Sequence, residues 1–483
     1  MTLSAQDRRL EVEAADAAES APCPPPVSTR RYDRSIVEGP LQRAVWRLAW
    51  PTMLTNVVGG LQGLVDHVMV GHFVGYTANA GIGVAIQIFI VIIAFIMSLF
   101  TGMSILVARF VGAADEHMAD RTVYQAFLSA VFLSLGVLAP VGYFASPYLL
   151  QLANAAPDVE AEALPYLRIS FLYSIGTLLF FMIGGALRAA GDARTPMVLG
   201  IVMTLLNIAL NVALIPPYGT AGAAAGTAIA AIVVSAYGMW RLWHGGWVVS
   251  FPRGLGYRPD RRIIVTLFRF GLPTGVQGVV MNLGGVLMLA FIGSLAQSAE
   301  AQAAYAISYS QLFSFVTWTA VGLLGAAATT AGQNLGAGKP ERVVQAVRTA
   351  SRFGLMLAAA LGLLFVLIPR QLLAIFGMNE PVVVELGVQL LRVLSLSGLF
   401  VVVALAYTGG LQGTGDTRSP MYISIVSQVI VPLGTCFILQ QANALDPIDI
   451  WLAILAGHVT RCVLSVVRFN QGRWRDIEVG IGR

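Results

Sequence analysis

Twelve continuous apolar stretches, each able to cross about 30 Å of hydrocarbon, leave this chain few ways to fold. They lie near residues 44–73, 80–109, 122–146, 163–188, 196–216, 221–243, 265–294, 303–334, 343–368, 384–411, 420–440 and 448–468. In lipid every backbone donor and acceptor must be satisfied internally, so only helices or a closed barrel can span. Runs that are continuous rather than alternating exclude the barrel. Composition agrees: 57% of the 483 residues are hydrophobic and 11% are charged, where a soluble domain carries about 25% charged residues. The expected fold is an all-α polytopic membrane protein with twelve transmembrane helices in the lipid bilayer.

Lys and Arg set the orientation. The loops after spans one, three, five, seven and eleven contain neither. The other side holds Arg43, Arg47, Arg109, Arg121, Arg188, Arg194, the basic stretch Arg241 to Arg269, Lys339, Arg342, Arg348, Arg418 and Arg461 to Arg483. The positive-inside rule then places both termini in the cytoplasm. The net charge of +5 is a matter of topology and predicts no nucleic-acid partner. Residues 1–40 have no apolar core behind Arg8-Arg9 and carry Pro24-Pro25-Pro26, which reads as a disordered cytosolic tail rather than a signal peptide. Cys23, Cys436 and Cys462 show neither metal spacing nor a disulfide framework.

The chain is duplicated. Leu187 to Met197 (LRAAGDARTPM) matches Leu411 to Met421 (LQGTGDTRSPM) at an offset of 224 residues. The same offset pairs Gln87-Ile-Phe89 with Gln311-Leu-Phe313 and Gly112-Ala113 with Gly336-Ala337, while Pro51-Thr52 pairs with Pro273-Thr274 at 222. Six spans per unit give parallel repeats related by an axis along the membrane normal, an architecture of transporters with the site near the interface of the halves. The expected domains are six-helix bundles at 41–244 and 265–470, a cytosolic linker at 245–264 and a cytosolic tail at 471–483. In the repeated loop, Gly191 and Gly415 suit a left-handed helix end. Thr195 and Ser419 suit N-caps, with Pro196 and Pro420 at the first helical position. Gly332 to Lys339 resembles a phosphate-binding loop, but Gln333 and Pro340 stand where glycine and a magnesium-binding hydroxyl are needed.

One acid stays deep once the spans are drawn. Asp66 lies seven residues from the end of span one at Phe73, roughly 10 Å inside it, where a carboxylate costs about 2.5–3.5 kcal/mol. Asn207 and Asn211, four apart and so on one helix face, and Thr227 reach a similar depth in spans five and six. If these spans are neighbours, a carboxylate, two amides and a hydroxyl converge. Such oxygens suit a hard monovalent cation, Na⁺, and a lone carboxylate suits a proton; a structural hydrogen-bond cluster between helices is the plainer alternative. His67 points about 100° away from Asp66 and reads as a packing residue, and His72 and His458 as residues at span ends. Pro51 and Pro273 can bend the first span of each half.

Together these patterns resemble the multidrug and toxic compound extrusion family over roughly residues 41–470. The resemblance rests on Pro51 and Asp66 in Val65 to Gly71, Val107 to Ala113, Ala331 to Ala337, the repeated loop, and Asn207 to Asn211 ahead of Ala221-Gly-Ala-Ala. It implies two six-helix bundles around a cleft and secondary active export of amphiphilic or cationic small molecules in exchange for Na⁺ or H⁺. It requires no cofactor, and a single chain in the cytoplasmic membrane suffices. Asp66 matches the family's key carboxylate, Asn207 and Thr227 its neighbours, and Asn211 stands where some members carry a second aspartate. Span seven offers Met281 and Asn282 in place of the acids other members use, and span ten has no interior acid, so no cation site is expected in the second half. The cleft candidates are Gln87, Met203, Asn282, Tyr309 and Gln311, with Pro51 as the bend that couples site to cleft. The rival reading is a flippase or exporter of a lipid-linked or other small metabolite, which calls for cations in the cleft where the spans show almost none. An embedded enzyme would need a nucleophile–base pair or metal ligands, and one carboxylate with unpaired histidines supplies neither.

Overall fold

A computed structural model describes residues 32–153, 156–251, 258–442, 444–478 and 480. Most of the tail expected over 1–40, Cys23, the middle of the linker expected over 245–264 and the end of the chain lie outside them. By its contacts the chain divides after Asp33, and the helices belong to the unit that starts at Arg34.

Twelve helical rods follow one another. They are Leu41–Phe73 (α1), Tyr76–Gly112 (α2), Glu116–Leu152 (α3), the pair Pro157–Leu172 and Ser174–Ala189 bent by 53° (α4), and the halves of Arg194–His244 (α5, α6). Then come Arg261–Gly293 (α7), Ser298–Gly336 (α8), Pro340–Leu367 (α9), Pro381–Gly413 (α10), Arg418–Gln441 (α11) and Pro447–Asn470 (α12). α1, which carries Arg43, Arg47, Asp66 and two histidines, is long enough to span but less apolar than the others. α5 and α6 part at Gly219, whose φ of 57° and ψ of −133° follow Pro216-Pro217. Prolines remove helix donors, and only glycine takes that backbone readily. Three helices contain a π-helical turn: Phe132–Leu138 in α3, Ala306–Leu312 in α8 and Val426–Ile430 in α11.

The rods form two six-helix bundles, and the lobes meet through α1 and α2 on one side and α7 and α8 on the other. Small residues let the backbones approach, as in membrane helix packing generally. A Cβ on Gly102 would stand 2.1 Å from the Leu267 carbonyl oxygen, and one on Gly271 2.4 Å from that of Ser98. The ends that carry the Arg and Lys residues are tied across the lobes. Arg109 donates to the carbonyls of Thr414 and Ile477 at 2.9 Å each, and Gln333 donates to that of Ala189 at 2.8 Å.

The repeated loop folds alike in both lobes. Gly191 and Gly415 are left-handed, with φ of 101° and 97°. The capping differs from expectation: the side chains of Asp192 and Asp416 accept from the backbone N–H of Thr195 and Ser419. The hydroxyls of Thr195 and Ser419 also donate to those carboxylates. A carboxylate accepts several donors at once and suits the positive end of a helix, so it displaces the hydroxyls from the capping role.

Between the lobes α3 holds the start of α7. Arg121 pairs with Asp260 at 2.7 Å, and Asp120 accepts from Ser250 N and Oγ at 2.8 and 3.0 Å.

Candidate functional site

α1, α5 and α6 pack together, and their polar residues meet. Asn211 Nδ2 donates to Asp66 Oδ1 at 2.8 Å and lies 3.4 Å from Asn207 Oδ1. Turned with Nδ2 towards the carboxylate, Asn207 donates to Asp66 Oδ1 at 3.2 Å and accepts from Thr227 N and Oγ1 at 3.3 and 3.0 Å. Turned the other way it accepts from Gln62 Nε2 at 3.1 Å. Asn207 and Asn211 are fully buried. All four residues named from the sequence therefore stand in one cluster.

Sequence reasoning missed one member. Gln62, one helical turn before Asp66, accepts from Thr204 Oγ1 at 2.8 Å and links it to Asn207. The spacing of Gln62 and Asp66 at i and i+4 was the available signal.

The cluster leaves an acceptor over. Asn211 Oδ1 is buried without a donor, and a Cβ on Gly226 would stand 2.1 Å from it. No ion pair reaches Asp66 among the described residues. His67 turns away, with Nδ1 2.6 Å from Asn79 Oδ1. A carboxylate, amide oxygens and a hydroxyl can hold a hard cation, or the carboxylate can take a proton. At the repeat spacing, Asp66, Asn207, Asn211 and Thr227 fall on Met288, Val431, Thr435 and Trp451, so the second lobe has no copy of the cluster.

The lobes enclose a cavity of about 860 Å³ away from the basic ends, lined by Gln87 of α2, Asn282 of α7 and Tyr305, Tyr309 and Phe313 of α8. Of the cleft candidates, Gln87, Asn282 and Tyr309 line this cavity, while Gln311 and Met203 are not among its lining residues. Gln311 is exposed; two positions beyond Tyr309 in a helix is about 200° around it. Met203 sits on α5, which contributes nothing to the cavity wall. Nearer the basic ends a recess of about 220 Å³ is lined by Thr101, Ser104, Arg188, Thr329 and Gln412.

Pro51 lies inside an unbroken α1, with its carbonyl accepting from Thr55 Oγ1 at 2.8 Å. His458 is a correction: it lies within α12, 5% exposed, rather than at a span end, and Arg461, counted with the basic side, is equally buried in the same helix. With Arg461 buried and Arg188 half-buried in the recess, the spans are not free of cations.

The family model for MatE matches residues 51–213 and 273–438, one segment in each repeat. A probable multidrug resistance protein NorM of Thermotoga maritima is 27% identical over 445 residues, covering 90% of this chain and 93% of that one. A probable multidrug resistance protein YoeA of Bacillus subtilis is 26% identical over 448 residues, covering 90% and 96%. A solved structure of a multidrug resistance MATE family transporter in an outward-facing conformation superposes with a TM-score of 0.84 at 22% identity, covering 91% of this chain and 97% of that one. With a family match on both repeats and the same twelve-helix fold, the chain belongs to the MatE family of multidrug and toxic compound extrusion transporters, which is not a family of enzymes.

Proposed function

We propose that this protein is a secondary active antiporter that exports amphiphilic or cationic small molecules in exchange for Na⁺ or H⁺, with Asp66 as the coupling carboxylate. The observation that carries this is a carboxylate inside a membrane helix, held by amides and without a fixed countercharge. Such a group calls for a mobile cation. The printed names of the relatives, multidrug resistance proteins, support the substrate class.

Asn207, Asn211 and Thr227 complete the site. For Na⁺, the Asn211 amide turns so that the oxygen now without a donor faces the carboxylate, with the ion between them. For H⁺, Asp66 itself takes the proton and the amides stay as they are. Either event draws α1 towards α5 and α6, and Pro51 absorbs the bend because the helix lacks one backbone bond there. By the charge rule the basic ends and both termini face the cytoplasm, so the cavity of Gln87, Asn282 and Tyr309 opens outward and the tied ends form the inner seal. The domains follow at 41–244, 245–264 and 265–470, and one chain is the working unit in the cytoplasmic membrane. Met203 and Gln311 would face substrate only in another conformation of the cleft.

A ligand shifts a two-state equilibrium only by its differential affinity, so the cation must prefer one conformation. The deciding experiment follows a fluorescent cation in proteoliposomes with Na⁺ and pH gradients imposed separately. Coupling to one gradient, lost in Asp66→Asn, is expected; an Asp66→Asn protein that still moves dye against its gradient rejects the assignment. Arg188 in the inner recess favours a second reading, export of a lipid-linked or other anionic metabolite on the same architecture, in which case the dye would not be moved by either gradient.

A further inference from the structure

Arg461 lies nine residues from the end of α12 at Asn470, roughly 13 Å along it. It is 5% exposed, its Nε has no acceptor, and none of the ion pairs among the described residues includes it. A guanidinium keeps its charge, and a charge in a membrane segment that is neither paired nor functional is rare. Near it on α12, His458 is equally buried, and neither ring nitrogen has a partner.

The neighbouring helix repeats the pattern. On α11 Gln428 Nε2 and Ser427 Oγ are buried and unbonded, and Gln428 Nε2 would lie 3.6 Å from a Cβ on Gly457, beside His458. On α8 the Phe313 ring stands 6.0 Å from the His458 imidazole and 5.5 Å from the Tyr309 ring. Tyr309 is within reach of the Arg461 charge. Tyr309 and Phe313 also line the interlobe cavity, so they separate it from the buried donors. Tyr309 and Gln428 both sit in π-turns, a distortion frequent at functional sites.

Arg461 Nε, Gln428 Nε2 and one imidazole nitrogen of His458 are thus buried donors without an acceptor. We propose that the carboxy-terminal lobe holds an anion site, formed by Arg461, His458 and Gln428 behind the Tyr309–Phe313 wall, for one monovalent anionic group of halide or carboxylate size. One guanidinium without a carboxylate partner sets the charge at one. A free halide and the carboxylate of a zwitterionic substrate in the cavity offer the same chemistry. The site goes beyond cation-coupled export and does not depend on it, because binding is read without transport.

The test uses the purified full-length protein in sulfate, a larger divalent anion, titrated with chloride and with acetate while thermal unfolding is followed. A saturable rise in Tm is expected with at least one of the two. Its half-saturating concentration should increase about tenfold or more in Arg461→Met, the loss of about 1.4 kcal/mol, and less in Arg461→Lys. Polarisation of a rhodamine with a free carboxylate, and of its ethyl ester, then separates the sources. Tighter binding of the acid that disappears in Arg461→Met assigns the group to the substrate, and a chloride effect without that preference assigns it to a free ion. An uncompensated buried charge is itself destabilising, so Arg461→Met should fold; if it does not, the wild-type titrations decide. A wild-type Tm that neither anion moves, with equal binding of both rhodamines, overturns the proposal.

Discussion

Gly112 on α2 and Gln333 on α8 cross so closely that a Cβ on Gly112 would stand 2.0 Å from the Gln333 carbonyl oxygen. The repeat returns the contact with the lobes exchanged, since a Cβ on Gly336 would stand 2.1 Å from the Arg109 carbonyl oxygen. Both pairs, Gly112 with Gly336 and Arg109 with Gln333, are separated by the repeat offset of 224. The crossing therefore lies on the pseudo-twofold axis, where the lobes close at their basic ends. Backbone carbonyls cannot swing aside as side chains do, so Gly112→Ala or Gly336→Ala must push α2 and α8 apart. Overpacking of this kind costs about 1–3 kcal/mol, all of it borne by the closed seal. Spin labels on Ala113→Cys and Ala337→Cys, in a background free of other cysteines, should report a larger population of the longer distance in either variant. An unchanged distance distribution would mean that this crossing does not form the seal.

Asp66→Asn tests the amino-terminal cluster. The amide keeps the size of the carboxylate and can still accept from Asn211, so unfolding should shift by less than about 1 kcal/mol, the net worth of one hydrogen bond. Transport driven by the coupling cation should be lost, because an amide neither takes a proton nor supplies the charge that holds a cation. Flux in proteoliposomes and thermal unfolding of the same preparation separate the two effects. Equal losses in both would make Asp66 a structural residue.

Gly226→Ala acts on the same cluster from the other side. The new methyl would occupy the space of Asn211 Oδ1, 2.1 Å from its carbon. The amide must then leave its place beside Asp66, while Asp66 itself is untouched. The expected result is an increase of about tenfold in half-saturating cation concentration, equivalent to about 1.4 kcal/mol, with maximal flux largely kept. A loss of maximal flux at unchanged cation affinity would place Asn211 outside the cation site.

Features set by local chemistry were readable from the sequence. The twelve spans follow from apolar runs, the break near Gly219 from the gap between the runs 196–216 and 221–243, and the left-handed Gly191 and Gly415 from the repeated loop. Asp66, Asn207, Asn211 and Thr227 could be grouped by depth because rise per residue is fixed. Rotation of a helix about its axis is not fixed locally. Gln62 turns inward and Gln311 outward because of what packs around α1 and α8. π-turns depend on the same packing. The burial of Arg461 was not legible for a different reason: the charge rule sorts arginines by the nearest span end and has no place for a cation retained inside the lobe.

The repeated loop gives a comparison within one molecule. Asp192 and Asp416 cap α5 and α11 in the same way, but only Asp416 also pairs with an arginine, Arg468, at 3.0 Å. Asp416 is 7% exposed and Arg468 26% at the side chain, so the pair is partly screened by solvent. Losing the cap alone costs about 1 kcal/mol, and a hydrogen bond to a charged partner adds about 1.5–3 kcal/mol. Asp192→Ala should therefore lower stability by about 1 kcal/mol and Asp416→Ala by about 2–4 kcal/mol. Arg468→Met in the Asp416→Ala background should recover part of the difference, because it removes a half-buried charge left without its partner. Unfolding of the four proteins in one detergent tests the order, and equal losses for the two aspartate variants would show that the ion pair adds nothing to the cap.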